Sequence, residues 1–135
     1  MSEMGKINRL MLIDDNAIDQ KMYQRIIARS GRVDEVVTCL SAMEALEYLA
    51  DPKHPRIDVI LLDINMPRVD GFQFLEEATA RFGNDFAKLV VVMLTTSLDP
   101  RDAERARSFP VVRDFLNKPL TAEHLDQIAR YLAEG

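Results

Sequence analysis

Ile57-Asp58-Val59-Ile60-Leu61-Leu62 is a nearly continuous apolar run that ends on Asp63. A strand apolar on both of its alternating faces fits a place covered on both sides, as in a parallel sheet between layers of helices. Leu10-Met11-Leu12-Ile13 and Leu89-Val90-Val91-Val92-Met93-Leu94 have the same character. Val36-Val37-Thr38-Cys39-Leu40 and the more polar Val111-Val112-Arg113-Asp114-Phe115-Leu116 bring the number of strand-like runs to five. Helix signals separate them. Asn16 to Ser30 places apolar residues at 18, 22, 23, 26 and 27 before Gly31. Ser41-Ala42-Met43-Glu44 has capping-box spacing, and Asp70 precedes a helix from Gly71 to Arg81. Asp99-Pro100 reads as N-cap and N1 of a helix to Arg107, and Thr121 opens the last one. The pattern predicts an α/β fold of the (βα)₅ kind, a doubly wound, five-stranded parallel sheet with right-handed crossovers.

The chain has 135 residues, close to one domain of ordinary size. Apolar residues make up 47% and charged residues 29%, which excludes a wholly disordered chain. A formal charge of −5 disfavours direct nucleic-acid binding, which needs a basic footprint. The only cysteine, Cys39, cannot form an intrachain disulfide, and its strand position suits a small buried hydrophobe. Neither a secretory leader nor a run of the ~20 apolar residues needed to cross a bilayer is visible. The expectation is a cytoplasmic protein without membrane insertion, with a flexible N-terminus over residues 1–7 and one domain over 8–135.

Polar residues gather where four of the runs end. Asp14-Asp15 follow the first, Asp63 the third, Thr95-Thr96 the fourth and Asn117-Lys118-Pro119 the fifth. Open α/β sheets bind ligands beyond the carboxyl ends of their strands, so these loops are expected to converge. Two carboxylates ~4 Å apart repel by about 4 kcal/mol at an effective dielectric of ~20, so three together call for a cation or a proton. Hard oxygen donors without His or Cys point to Mg²⁺, with Mn²⁺ as the alternative. A lysine and a hydroxyl beside such a centre suit a phosphoryl group, and one carboxylate could serve as its nucleophile. Asp is also favoured at helix N-caps, and the helix beginning near Asn16 needs a cap.

Leu61-Leu62-Asp63-Ile64-Asn65-Met66-Pro67-Arg68-Val69-Asp70-Gly71, together with Asp14-Asp15, Thr95 and Lys118-Pro119, resembles the receiver domain of two-component response regulators, CheY-like and single-domain. The likeness runs over roughly residues 8 to 133. It implies a flavodoxin-like strand order 2-1-3-4-5. It implies that Asp63 accepts a phosphoryl group from the phosphohistidine of a sensor kinase or phosphotransfer protein. Asp14, Asp15, Asp63 and the backbone carbonyl of Asn65 would hold Mg²⁺. Thr95, Thr96, Lys118 and Phe115 would bind the phosphoryl group or switch with it, Lys118 pairing first with Asp63, and the Lys118-Pro119 peptide would be cis. Ile18 and Met22 would face the donor protein. The implied role is signalling or phosphorelay, with catalysis confined to the chain's own phosphorylation and dephosphorylation. The signal would pass to an unnamed downstream protein, a second copy of the chain being a further candidate partner, and no output domain is expected.

Two departures from the family pattern stand out. Thr96 occupies a position where a small residue is common. Ser108-Phe109-Pro110 precedes the fifth run, where many relatives carry Gly-Ala, so the start of that strand is expected to be unusual. Other readings fit less well. A haloacid-dehalogenase-type phosphatase wants an acid two residues after its nucleophile, where this chain has Asn65. An FMN binder wants a hydroxyl-rich loop after the first strand, where this chain has two carboxylates. A binding scaffold with no phosphoryl chemistry would have no need of intact acidic loops.

Overall fold

The computed structural model describes residues 6–134. In chain order the elements are β1 (Ile7–Ile13), α1 (Ala17–Ser30), β2 (Val33–Cys39), α2 (Ala42–Ala50), β3 (Val59–Asp63), α3 (Gly71–Phe82), α4 (Asn84–Ala87), β4 (Val90–Thr95), α5 (Pro100–Arg107), β5 (Val112–Asn117) and α6 (Ala122–Glu134). The strands are all parallel, in the order β2-β1-β3-β4-β5 that the resemblance implies. Of the expected flexible N-terminus, residues 1–5 lie outside the described residues. Ile7 does not belong to it: it opens β1, its N–H donates to the Arg32 carbonyl at 2.8 Å, and its side chain is buried in the second core.

The uniformly apolar runs are explained by two cores. Met11, Ile13, Ile60, Leu62, Val91 and Met93 point to one face and pack with Leu46, Phe74 and Leu75 of α2 and α3. Leu10, Leu12, Val59, Leu61, Val92 and Leu94 alternate with them and meet Tyr23, Ile27, Leu125 and Ile128 of α1 and α6. Helices therefore cover both faces, and each central strand needs an apolar residue at every position.

Capping fixes where the helices begin. Asn16 accepts from the N–H groups of Ile18 and Asp19, so the cap of α1 is Asn16 and neither preceding aspartate is used as the cap. Asp70 and Gln73 form a reciprocal capping box on α3. Ser41 caps α2 through Glu44 N–H, but the Glu44 carboxylate reaches Leu40 N–H. His124 exchanges two hydrogen bonds with Thr121 at the start of α6.

The short helix α4 is an element the periodicity misses, since four residues carry no repeat. Phe86 anchors it, edge-on to Phe74 in the first core. Beside Pro110 the β4–β5 register slips between Val91, opposite Val112, and Val92, opposite Asp114. The start of β5 is thus irregular, as its sequence implied.

Candidate functional site: a carboxylate cluster at the sheet's switch point

Chain connections leave β1 and β3 in opposite directions along the sheet, and these two strands are neighbours. Ile13 lies in register with Leu62, so the residues that follow them emerge side by side. Carboxylate oxygens of Asp14, Asp15 and Asp63 all lie within 4.8 Å of one another. Asp14 and Asp63 are buried, whereas Asp15 is exposed.

Lys118 supplies the balancing charge. Its Nζ lies 2.9 Å from Asp14 Oδ2, 3.6 Å from Asp63 Oδ1 and 3.8 Å from Asp19 Oδ2. The expected pairing with Asp63 is thus present, but Asp14 is the nearer partner and takes the hydrogen bond. The Lys118–Pro119 peptide is cis, and Lys118 N–H donates to the Thr95 carbonyl at 2.8 Å. Three carboxylates and one ammonium leave a formal charge of −2. Burial pushes the Asp63 carboxyl up to about 6, with Asp14 adding to the rise and Lys118 opposing it. Burial works against the charge on Lys118, yet the Asp14 hydrogen bond and the Asp63 carboxylate outweigh it and hold the ammonium above its ordinary range.

The other expected residues take varied places. Asn65 is exposed, and its backbone N–H donates to Asp63 Oδ1 at 3.3 Å. Thr95 is fully buried, with its hydroxyl oxygen accepting from Ser97 N–H at 2.9 Å. Thr96 is exposed and outside the cluster. Phe115 is half-buried against the first core, in register with Met93, and no described contact ties it to the carboxylates.

The loop after Asp63 is tightly built. Gly71 N–H and Met66 N–H both donate to the Ile64 carbonyl, at 2.9 and 3.1 Å. A Cβ on Gly71 would lie 2.7 Å from the Asp63 carbonyl oxygen and 3.0 Å from Ile64 Cα, so only glycine fits there. Arg68 carries φ +67°, a left-handed conformation that side chains with a Cβ rarely adopt.

Two residues near the cluster escaped the sequence. Asp19, in the first turn of α1, stands within reach of Lys118. Gln20 is buried and donates through Nε2 to backbone carbonyls at the ends of β1 and β2. Ile18 and Met22, expected to face the donor protein, are 79% and 44% exposed. The inner face is Gln20, Tyr23 and Ile27, and a polar residue inside it gives no hydrophobic signal.

The family model described as Response regulator receiver domain matches residues 10–130. The chain belongs to that family. It is similar to the two-component response regulator ORR1 of Oryza sativa subsp. indica, 24% identical over 92% of this chain and 54% of the relative. It is also similar to a protein-glutamate methylesterase/protein-glutamine glutaminase of Xanthomonas oryzae pv. oryzae, 32% identical over 82% of this chain and 29% of that one. The chain therefore spans about half the length of the rice relative and less of the Xanthomonas one. Among solved structures, a two-component response regulator from Cytophaga hutchinsonii superposes with a TM-score of 0.90, at 30% identity over 96% of this chain and 99% of that one. The phosphorylated cyanobacterial phytochrome response regulator RcpA gives 0.72, at 30% identity over 95% and 92%. Receiver domains are signalling modules of two-component systems, and no helix among the described residues is long and apolar enough to cross a membrane.

Proposed function

We propose that Asp63 accepts a phosphoryl group from the phosphohistidine of a sensor histidine kinase or histidine phosphotransfer protein. The observation that carries this reading is the convergence of three carboxylates and one ammonium at the switch point of the sheet. The donor set is all oxygen, and with Lys118 beside it the cluster carries a formal charge of −2, which fits a divalent hard cation. Asp14, Asp15, Asp63 and the backbone carbonyl of Asn65 would hold Mg²⁺ or Mn²⁺. When bound, the ion would supply positive charge against both the carboxylates and the phosphoryl oxygens.

In the transfer, an Asp63 carboxylate oxygen forms the new O–P bond as the P–N bond breaks. The departing imidazole nitrogen keeps the electron pair and takes a proton from solvent, and the product is an aspartyl phosphate. Lys118 is placed to exchange a carboxylate partner for a phosphoryl oxygen. The Thr95 hydroxyl would turn from Ser97 N–H toward that group, and Thr96 would narrow its approach. Phe115, half-buried beside β4, would move with Thr95 and alter the face formed by α5, β5 and α6. That face would meet a downstream protein or a second copy of the chain, or the phosphoryl group would pass on through a relay. The phosphorylated state of the RcpA relative supports the reading. The only chemistry it assigns to the chain is its own phosphorylation and dephosphorylation.

The test is the intact mass after incubation with acetyl phosphate and Mg²⁺. One phosphoryl adduct that requires Mg²⁺ and is lost in Asp63→Asn supports the proposal. An equal adduct in Asp63→Asn contradicts it.

A further inference from the structure

Gln20 has no part in the chemistry above, yet it is built into the acidic loop. Its Nε2 lies 2.8 Å from the Cys39 carbonyl oxygen, 3.1 Å from that of Asp14 and 3.3 Å from that of Leu12. A primary amide offers two N–H donors, so three acceptors share two hydrogens. Its Oε1 is buried without a hydrogen-bond partner among the described residues. The fold bears the cost of that orphaned acceptor while keeping the donor half fully engaged.

The consequence falls on the two aspartates. The Asp14 backbone is held from both sides, its N–H donating to the Cys39 carbonyl at 3.1 Å and its carbonyl accepting from Gln20. The Asp14 carboxylate is held as well, by Asn16 N–H at 2.9 Å and by Lys118. Asp15 differs: it is exposed, and no hydrogen bond or ion pair among the described residues fixes its side chain. The carbonyl of residue 14 shares one rigid peptide plane with the nitrogen and Cα of residue 15. Whatever fixes that carbonyl fixes the origin of the Asp15 side chain.

We propose that Gln20 is a positioning residue for the cation site, holding the 14–15 peptide plane and thereby aiming Asp15. This rests on the phosphoacceptor reading of the same site. Partners that orient metal ligands typically change affinity by about 10–100-fold when removed.

Gln20→Met tests the idea, because methionine keeps length and burial but donates nothing. Ile27→Ala is the control. It lies on the inner face of α1 in the second core, outside the cluster, and it too lowers stability. The readouts are Mg²⁺ affinity by NMR titration, metal-free amide shifts and exchange of Asp14 and Asp15, and the melting temperature. The expected result is Mg²⁺ binding at least about tenfold weaker in Gln20→Met, with metal-free changes at Asp14 and Asp15. Ile27→Ala should keep its affinity within about twofold of the wild type, since it leaves these partners in place. Unchanged affinity in Gln20→Met, or an equal loss in Ile27→Ala, overturns the proposal while leaving the phosphoacceptor reading intact. Failure of the wild-type protein to bind Mg²⁺ at all overturns both. If Gln20→Met does not fold, the wild-type Gln20 side-chain amide decides. Protons protected from exchange that shift on Mg²⁺ addition support the proposal, and unprotected protons overturn it.

Discussion

Gly71 stands where a Cβ would lie 2.7 Å from the carbonyl oxygen of Asp63, so the first residue of α3 presses directly on the backbone of the candidate phosphoacceptor. Both atoms in the clash are part of rigid elements, since Asp63 ends β3 and Gly71 N–H is tied to Ile64. The loop cannot yield without displacing the Asp63 carboxylate. Gly71→Ala is expected to cost about 1–3 kcal/mol in urea unfolding. It should also slow phosphoryl acceptance from acetyl phosphate. Unchanged stability would show that the loop has room the structure denies it.

Arg68, three residues earlier, is expected to respond in the opposite sense. Its φ of +67° costs a side chain with a Cβ about 1–2 kcal/mol, which glycine does not incur. Glycine loses more chain entropy on folding, so the net gain from Arg68→Gly should be up to about 1 kcal/mol. Chemical denaturation of both loop variants side by side gives the two signs. A loss of stability in Arg68→Gly would mean that the arginine side chain contributes more than its backbone strain costs.

How much of this was legible beforehand depends on the kind of signal each residue leaves. The doubly apolar runs exposed the parallel sheet because burial on both faces leaves no alternation. The carboxylates were legible because strand ends in such a sheet share one edge. Gln20 was not, because its role lies in three backbone carbonyls that are distant from it along the chain or meaningless without coordinates. The Gly71 contact was hidden for the same reason. That Lys118 prefers Asp14 over Asp63 is a difference of 0.7 Å between 2.9 and 3.6 Å, set by packing rather than by residue type. Strand order came with the family resemblance, since spacing alone cannot say which parallel strands are neighbours.

Lys118→Met should expose the charge balance. Lys118 is mostly buried against Asp14 and Asp63, and its loss leaves two buried carboxylates with no other cationic side chain paired to them among the described residues. The expected cost is about 3 kcal/mol without Mg²⁺. Mg²⁺ should restore part of it, because the ion binds the folded state only. Urea unfolding with and without Mg²⁺ measures both terms, and an Mg²⁺ response no larger than that of wild type would contradict the shared electrostatics.

Acidity should act through Asp63. Its folded carboxyl sits at about 6, above the ordinary value of 3.8, so the folded state holds the proton more tightly than the unfolded chain. Stability from this group is therefore greatest below pH 4, falls as pH rises from about 4 to 6, and is level above. The total is on the order of 2–3 kcal/mol. Asp63→Asn should remove that slope and raise metal-free stability at pH 7 by a similar amount. Mg²⁺ needs the carboxylate, so its affinity should fall roughly tenfold per pH unit below about 6 and plateau above it. Titrations of wild type and Asp63→Asn between pH 4 and 8, ~0.5 units apart, would reveal whether the slope belongs to Asp63.

The most direct measurement locates the phosphoryl group. The protein is treated with acetyl phosphate and Mg²⁺, the acyl phosphate is reduced with borohydride, and the peptides are mapped by mass spectrometry. The account predicts reduction to homoserine at Asp63 and nowhere else. A reduced product at Asp14 or Asp15, or a phosphoryl group stable to borohydride on a serine or threonine, would contradict it.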